Sequence, residues 1–281
     1  MAEGWVPVGV VGAGNMARAL VAGWLAAGWP ARRITVTNRR DDGRLAAMAA
    51  LGVAVTRSKA DLCAESEVVV VAVKPADAAG ALAELGGLLG RRHLVLSLMA
   101  GVPTAAIEGA LGGPVRVVRA MPNVSSAVRE SATGLAAGHW AKAADLDRAA
   151  ALLAAVGQVE NVPESALAAV TAVAGSGPAY VYLLLEALAA AGRAVGLDGD
   201  LAGRLAVQTV FGSAKLVHDT ARDPAELRRS VTSPGGTTAA ALAVLEAAGF
   251  ADTLAAAVAR ATQRAGELAG QWAGAGERPA P

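Results

Sequence analysis

Cysteine is almost missing from this sequence: Cys63 stands alone among 281 residues. One thiol excludes an intramolecular disulfide and any thiolate-rich metal site. It fits a reducing compartment, where a lone cysteine behaves as an inert, partly buried apolar group. Aromatic residues make up 3% of the chain, and the three histidines, His93, His139 and His218, are far apart. Without metal-ligand spacing or a paired-carboxylate signature, neither a metal centre nor a two-acid hydrolase site is expected. Charge of one sign is also lacking, since 25 basic and 24 acidic residues leave a net charge of +1. That balance, with no basic cluster interleaved with aromatics, argues against nucleic acid as a partner. Met1 leads almost directly into an apolar run, without the ordered parts of a secretory leader, so a cytoplasmic location is expected. The longest charge-free stretch, 165–185, is nominally long enough to span a bilayer. Gly175-Ser176-Gly177-Pro178 interrupts it, which favours a buried, Ala-rich helix pair and no membrane partner.

What the chain does have is aliphatic residues, with hydrophobic types at 54% and alanine prominent among them. Alanine with leucine and valine favours close-packed helices. Short Val-rich runs at 6–11, 34–37, 68–73, 94–98 and 115–118 alternate with helical patterns at 16–27, 43–51, 76–89 and 104–110. Strands apolar throughout, separated by helices, predict a parallel sheet covered on both faces. A strand at 133–137, a helix at 143–156 and a strand at 158–161 would complete that domain. From Pro163 the texture changes to long Ala/Leu helices at 165–174, 179–195, 201–219, 236–248 and 250–272. The expected division is therefore an α/β nucleotide-binding domain at 1–161, an all-helical domain at 162–273, and a disordered Gly/Pro tail at 274–281. The helical apolar faces are too broad for a lone bundle, which predicts burial against a second subunit.

The first strand runs into Gly12-Ala13-Gly14-Asn15-Met16-Ala17, the G-x-G-x-x-A form of the dinucleotide fingerprint at a strand-to-helix turn. Gly12 permits the turn, Gly14 admits the pyrophosphate, and the helix N-terminus faces the phosphates. At the end of the second strand an NAD site usually carries an acid, whereas this chain reads Thr37-Asn38-Arg39-Arg40. Asn38 can hydrogen-bond a 2′-phosphate and the arginines can pair with its charge, which favours NADPH. Ala72-Val73-Lys74-Pro75, Ser97-Leu98-Met99-Ala100-Gly101-Val102 and Arg119-Ala120-Met121-Pro122-Asn123 each end a later strand, at the edge where such sheets bind ligands.

Two glycine-rich segments lie further on. Gly175-Ser176-Gly177-Pro178-Ala179-Tyr180 breaks one helix and opens another, and Ser233-Pro234-Gly235-Gly236-Thr237-Thr238 precedes a third. The latter exposes backbone N–H groups between hydroxyls, and on chemistry alone reads equally as a small-anion grip or a bare helix cap.

In order, VGAGNMA, VAVKP, AGV, RAMPN, AVTAVAGSGPAYVY and VTSPGGTT resemble the pyrroline-5-carboxylate reductase family over nearly the whole chain, to about Gln263. GSGPAY together with SPGGTT is the specific combination. The resemblance implies a Rossmann domain followed by an all-α dimerisation domain, in a homodimer or a dimer-based higher oligomer. It implies reduction of the C=N bond of Δ1-pyrroline-5-carboxylate, a cyclic imine carboxylate, by NADPH (NADH more weakly) to give L-proline, the last step of proline biosynthesis. By motif, Gly12, Gly14, Asn15 and Met16 would line the pyrophosphate, and Asn38 and Arg39 would take the 2′-phosphate. Ala72, Lys74, Pro75 and Asn123 would frame the ribose and nicotinamide. Ser233, Gly235, Gly236, Thr237 and Thr238 would hold the substrate carboxylate, with Thr238 near the ring nitrogen as a hydrogen-bond partner or proton relay. The chain departs from the family where MPN-T-P-A becomes Met121-Pro122-Asn123-Val124-Ser125-Ser126-Ala127, which touches loop shape and substrate breadth. Ala221-Arg222-Asp223 stands where some members carry a glutamate, so no acid is assigned there. The alternatives are a broader NADPH imine reductase and a non-catalytic NADPH-binding scaffold. A β-hydroxyacid dehydrogenase would need a catalytic lysine, and Lys215 lacks that family's surroundings.

Overall fold

The computed structural model describes residues 5–40 and 42–272; the expected tail at 274–281 lies outside them. The chain divides into one compact unit, ending at Ser176 and rejoined by the segment from Ala259, and a second, Gly177–Val258.

The first unit is built on eight strands: β1 (Val8–Val11), β2 (Ile34–Thr37), β3 (Ala54–Thr56), β4 (Val68–Val71), β5 (Leu94–Ser97), β6 (Arg116–Met121), β7 (Ser131–Ala137) and β8 (Gly157–Asn161). Their order in the sheet is β3-β2-β1-β4-β5-β6-β7-β8. Every residue of β1, β4 and β5 is buried, as strands covered on both faces require. Alternate side chains feed two cores. Val8, Val10, Val68 and Val70 point to the face covered by α1 (Asn15–Ala26) and α6 (Ala143–Ala154). Val11, Val69 and Val71 point to the face covered by α3 (Lys59–Glu65), α4 (Ala78–Leu85) and α5 (Thr104–Leu111). Helix α1 docks through Ala17, Leu20, Val21 and Trp24, spaced as one helical face. Trp24 Nε1 donates to the Leu152 carbonyl at 2.8 Å, satisfying its buried N–H on α6.

The structure corrects the sequence reading in three places. The sheet is not parallel throughout: β7 runs antiparallel to β6, Val118 facing Ala137 and Met121 facing Gly134. Only nine residues join the two strands, with a short 3₁₀ turn at Val124–Val128, too few for the crossover a parallel pair needs. The apolar runs passed over β3, and the helical patterns passed over α3 and α10 (Pro224–Ser230). Finally, Gly175–Pro178 does not end a helix outright. After α7 (Leu167–Val170) the backbone widens into a π turn over Thr171–Gly175, with the Ser176 N–H donating to the Thr171 carbonyl at 2.8 Å, and α8 (Gly177–Ala194) follows directly. By length and composition alone the helical run Glu164–Ala194 could cross a membrane.

The second unit holds α8, α9 (Gly199–Thr220), α10, α11 (Thr237–Ala247) and the first part of α12 (Phe250–Gly270). Helix α9 is capped by Asp198, which accepts from the N–H groups of Asp200 and Leu201. Within Gly177–Val258 only Ala202 and Ala206 are buried.

Candidate functional site: a dinucleotide cleft and a glycine-rich helix cap

The carboxyl ends of β1, β2 and β4 converge on a cleft. Gly12 has φ +106°, and a Cβ there would lie 2.7 Å from the Ala72 carbonyl, so only glycine makes this turn. Its N–H donates to the Thr37 carbonyl at 2.8 Å, while the Ala72 N–H donates to Val11 at 2.9 Å. These two bonds lock the loops after β1, β2 and β4 together. Gly14 is the N-cap of α1 and carries no capping side chain. A Cβ on Gly14 would meet nothing within 4 Å; that open face, beside uncapped helix N–H groups, is the cradle a pyrophosphate fits.

Of the residues expected at the cofactor, Gly12, Gly14, Asn15, Met16, Asn38, Ala72 and Lys74 line one continuous cleft. Arg39 lines the adjoining pocket at the end of β2, with Arg40, Arg44, Lys59 and Lys74. Five cations against two carboxylates, Asp77 and Glu84, is the donor chemistry a 2′-phosphate needs. Asn38 is already engaged, donating to the Arg40 carbonyl at 2.9 Å and the Asp42 carboxylate at 3.3 Å, which holds the loop after β2 in place. Arg39 Nη2 donates to Asp77 Oδ1 at 2.7 Å, Arg44 pairs with Asp42 at 3.2 Å, and Lys59 pairs with Glu84. Leu98, from the segment expected at this edge, also lines the cleft, whereas Arg44, Lys59 and Asp77 were not singled out from sequence. The signal for Lys59 was present, because Ser58 caps α3 by accepting from the Asp61 N–H at 3.1 Å and so sets Lys59 in its first turn.

Pro75 and Asn123 do not line the cleft. Pro75 opens the 3₁₀ turn before α4 and so fixes the backbone that presents Lys74. Asn123 is buried and both ends of its amide are used. Its Oδ1 accepts from the Ser125 N–H at 3.0 Å, and its Nδ2 donates to the Ala174 carbonyl at 3.0 Å. An α-helix would give that carbonyl the N–H of residue 178, but residue 178 is proline and has none. Arg119 of the same motif is buried too, its Nη1 donating to Glu164 at 3.2 Å. Glu164 also takes the Thr104 N–H at 2.8 Å and hydroxyl at 2.5 Å. The buried Arg119 charge is thereby neutralised.

His93, Cys63, Glu108 and Asp223 are engaged in the fold itself. His93 Nδ1 accepts from the Gly90 N–H at 2.9 Å and its Nε2 faces the Cys63 carbonyl at 2.9 Å. Burial pushes the Cys63 thiol up to about 11, which keeps it protonated and unreactive at neutral pH. Burial also raises the Glu108 carboxyl above the ordinary range, against the Trp140 N–H that bonds its charged form. Asp223 caps α10, accepting from the Ala225 N–H at 2.7 Å, and is thereby accounted for without chemistry.

In the second unit, the 233–238 turn is formed by Gly235 at φ +70° and by a bond from the Gly236 N–H to the Ser233 carbonyl at 3.0 Å. A Cβ on Gly236 would lie 2.4 Å from Ser233 Oγ, so the hydroxyl packs against bare backbone. Gly236 caps α11 without a side-chain hydrogen bond. Ser233, Gly235 and Thr237 are exposed, and Gly236 and Thr238 are half-buried. The turn thus presents uncapped helix N–H groups flanked by hydroxyls, which suits a small carboxylate.

Comparison with known proteins agrees with this geometry. Residues 164–268 match the family described as pyrroline-5-carboxylate reductase dimerisation. Residues 7–101 match NADP oxidoreductase, coenzyme F420-dependent. The chain is 41% identical to the pyrroline-5-carboxylate reductase of Pseudomonas aeruginosa over 86% of its length and 89% of that protein. With the Mycobacterium tuberculosis enzyme of that name it shares 39% identity, covering 92% and 95% of the two chains. A pyrroline-5-carboxylate reductase structure from Coxiella burnetii superposes with a TM-score of 0.89 at 40% identity, covering 94% of this chain and 99% of the other. The Plasmodium falciparum pyrroline carboxylate reductase, solved with NADP bound, gives 0.84 at 26% identity, covering 94% and 98%. A nucleotide cleft of the NADP kind and a helical segment of the dimerisation kind, in one chain so similar to these enzymes, make it a member of the pyrroline-5-carboxylate reductase family.

Proposed function

We propose that the protein reduces the C=N bond of Δ1-pyrroline-5-carboxylate to give L-proline, with NADPH preferred over NADH. The observation that carries this reading is the 233–238 turn, where an uncapped helix N-terminus is flanked by the Ser233, Thr237 and Thr238 hydroxyls and turned by Gly235 at φ +70°. Bound NADPH would supply the hydride to the imine carbon. Gly12, Gly14, Asn15 and Met16 hold the pyrophosphate, Asn38 and Arg39 the 2′-phosphate, and Ala72 and Lys74 the ribose and nicotinamide end. Pro75 and Asn123 act by fixing the backbone at that edge. Ser233, Gly235, Gly236, Thr237 and Thr238 grip the substrate carboxylate and orient the ring. Such positioning can contribute about 7–11 kcal/mol to the barrier reduction. The Thr238 hydroxyl lies near the ring nitrogen and hydrogen-bonds it, or relays a proton to it.

The functional division falls at 1–161 and 162–273, and the helical part pairs with a second copy as a homodimer or a dimer-based assembly in the cytoplasm. The large apolar side chains left open on α8 and α9, with the family match over 164–268, support that pairing over a membrane role for the run Glu164–Ala194.

The test follows NADPH oxidation with pyrroline-5-carboxylate and with carboxylate-free 1-pyrroline. Fast turnover of the carboxylated imine alone is expected. Equal rates would move the assignment to a broader imine reductase, for which exposed Val124 in the turn after β6 is the motivating feature. Cofactor binding without turnover of either imine would leave a scaffold. Thr238→Val should lower turnover while NADPH affinity stays near wild type, and unchanged turnover would remove Thr238 from the mechanism.

A further inference from the structure

Arg39 and Asp77 come from opposite sides of the nucleotide cleft. Arg39 follows β2 and Asp77 lies in the turn after β4, and β1 stands between those strands in the sheet. Their ion pair therefore reaches across the end of β1, where Gly12 lines the same pocket. An acid at the start of α4 would ordinarily be a helix cap, but Asp77 makes no capping hydrogen bond with its side chain. Its carboxylate is turned to the guanidinium instead, at the 2.7 Å of a charge-assisted bond.

From this geometry we infer that Asp77 is a specificity-determining residue that competes with the cofactor's 2′-phosphate for Arg39 and so lowers the preference for NADPH over NADH. A carboxylate and a phosphate offer a guanidinium the same kind of oxygen pair. A 2′-phosphate can engage Arg39 only by taking it from Asp77 or by sharing it, and either way a dianion is brought near a carboxylate. A 2′-hydroxyl makes no claim on Arg39 and leaves the pair intact. Asp77 thus acts against one cofactor and is indifferent to the other. This inference rests on the reading of the cleft as an NADP site.

Calorimetric binding of NADPH and NADH to the full chain, wild type and Asp77→Asn, tests it without recourse to turnover. NADPH should bind about two- to fivefold more tightly to the variant, as befits release of one half-exposed ion pair. NADH should change by less than about twofold. The gain should shrink with added salt, and it should vanish when Arg39→Ala is combined with Asp77→Asn. Asp77→Ser serves as a second variant should the amide disturb the turn. Weaker NADPH binding would show that Asp77 instead pre-aligns Arg39, and equal tightening of both cofactors would show a steric strap; unchanged affinity for both would mean no competition. Each of these overturns the inference while leaving the NADP site standing. Failure of the wild-type chain to bind either cofactor would overturn the site itself.

Discussion

The first unit holds whole strands with no exposed residue, and the second, over Gly177–Val258, buries only Ala202 and Ala206. Both are apolar in sequence, yet only the first covers its own apolar surface. Val181, Leu183, Leu184, Leu201, Leu205 and Phe211 stand open on α8 and α9. At ~25 cal/mol per Å² of apolar surface removed from water, such faces gain most of their stability only when another surface covers them. One unit buries its own apolar side chains, and the other leaves those of α8 and α9 open.

This contrast can be broken most severely at α8. Leu183→Asp, placed on an open position of that helix, should convert the assembly to monomers and lower the melting temperature, read by sedimentation and thermal denaturation. Leu96→Ala, fully buried in β5, should cost about 2–5 kcal/mol without changing the oligomeric state. If Leu183→Asp remained assembled, the open face would not be the interface. A finer cut separates two glycines of the nucleotide loop. Gly12→Ala should lose both stability and NADPH binding, since its Cβ meets backbone and its φ is positive. Gly14→Ala should keep its melting temperature and lose NADPH affinity at least tenfold, or about 1.4 kcal/mol, because its Cβ enters only the phosphate cradle. Equal melting losses in both would sink that distinction. The smallest effect lies at Glu108, whose folded carboxyl is raised by burial. A raised acid means the folded state holds the extra proton, so stability falls as pH rises from the ordinary carboxyl range through the folded pKa. Glu108→Gln keeps an acceptor for the Trp140 N–H and should be the more stable form at neutral pH, with the gap closing in acid. A gap constant with pH would remove Glu108 as its source.

Much of this was readable in advance, and the exceptions share a cause. The Val-rich strands and the 12–17 loop are local patterns, since period and glycine placement arise from the residues themselves. Strand β2 was expected at 34–37 and is found there. What escaped depends on partners distant in sequence. The direction of β7 is decided by the shortness of its link to β6, and the occupation of Arg39 by Asp77 joins residues 38 positions apart. The bonds of the Asn123 amide escaped in the same way, since Ala174 lies 51 positions further along the chain. Short elements such as β3 and α10 carry too few residues for a period, although Asp223-Pro224 was a legible helix start.

The π turn over Thr171–Gly175 is in effect a one-residue insertion in a helix. Each residue advances an α-helix by about 100°, so the extra residue has to be taken up within the turn itself, where the regular bonding pattern is broken. Pro178 removes the N–H that a regular helix would give Ala174, and Asn123 supplies another donor from the end of β6. One amide from outside the helix thus completes the hydrogen bonding of the widened turn. A substitution that removes the Asn123 amide would leave the Ala174 carbonyl without the donor that Pro178 cannot supply.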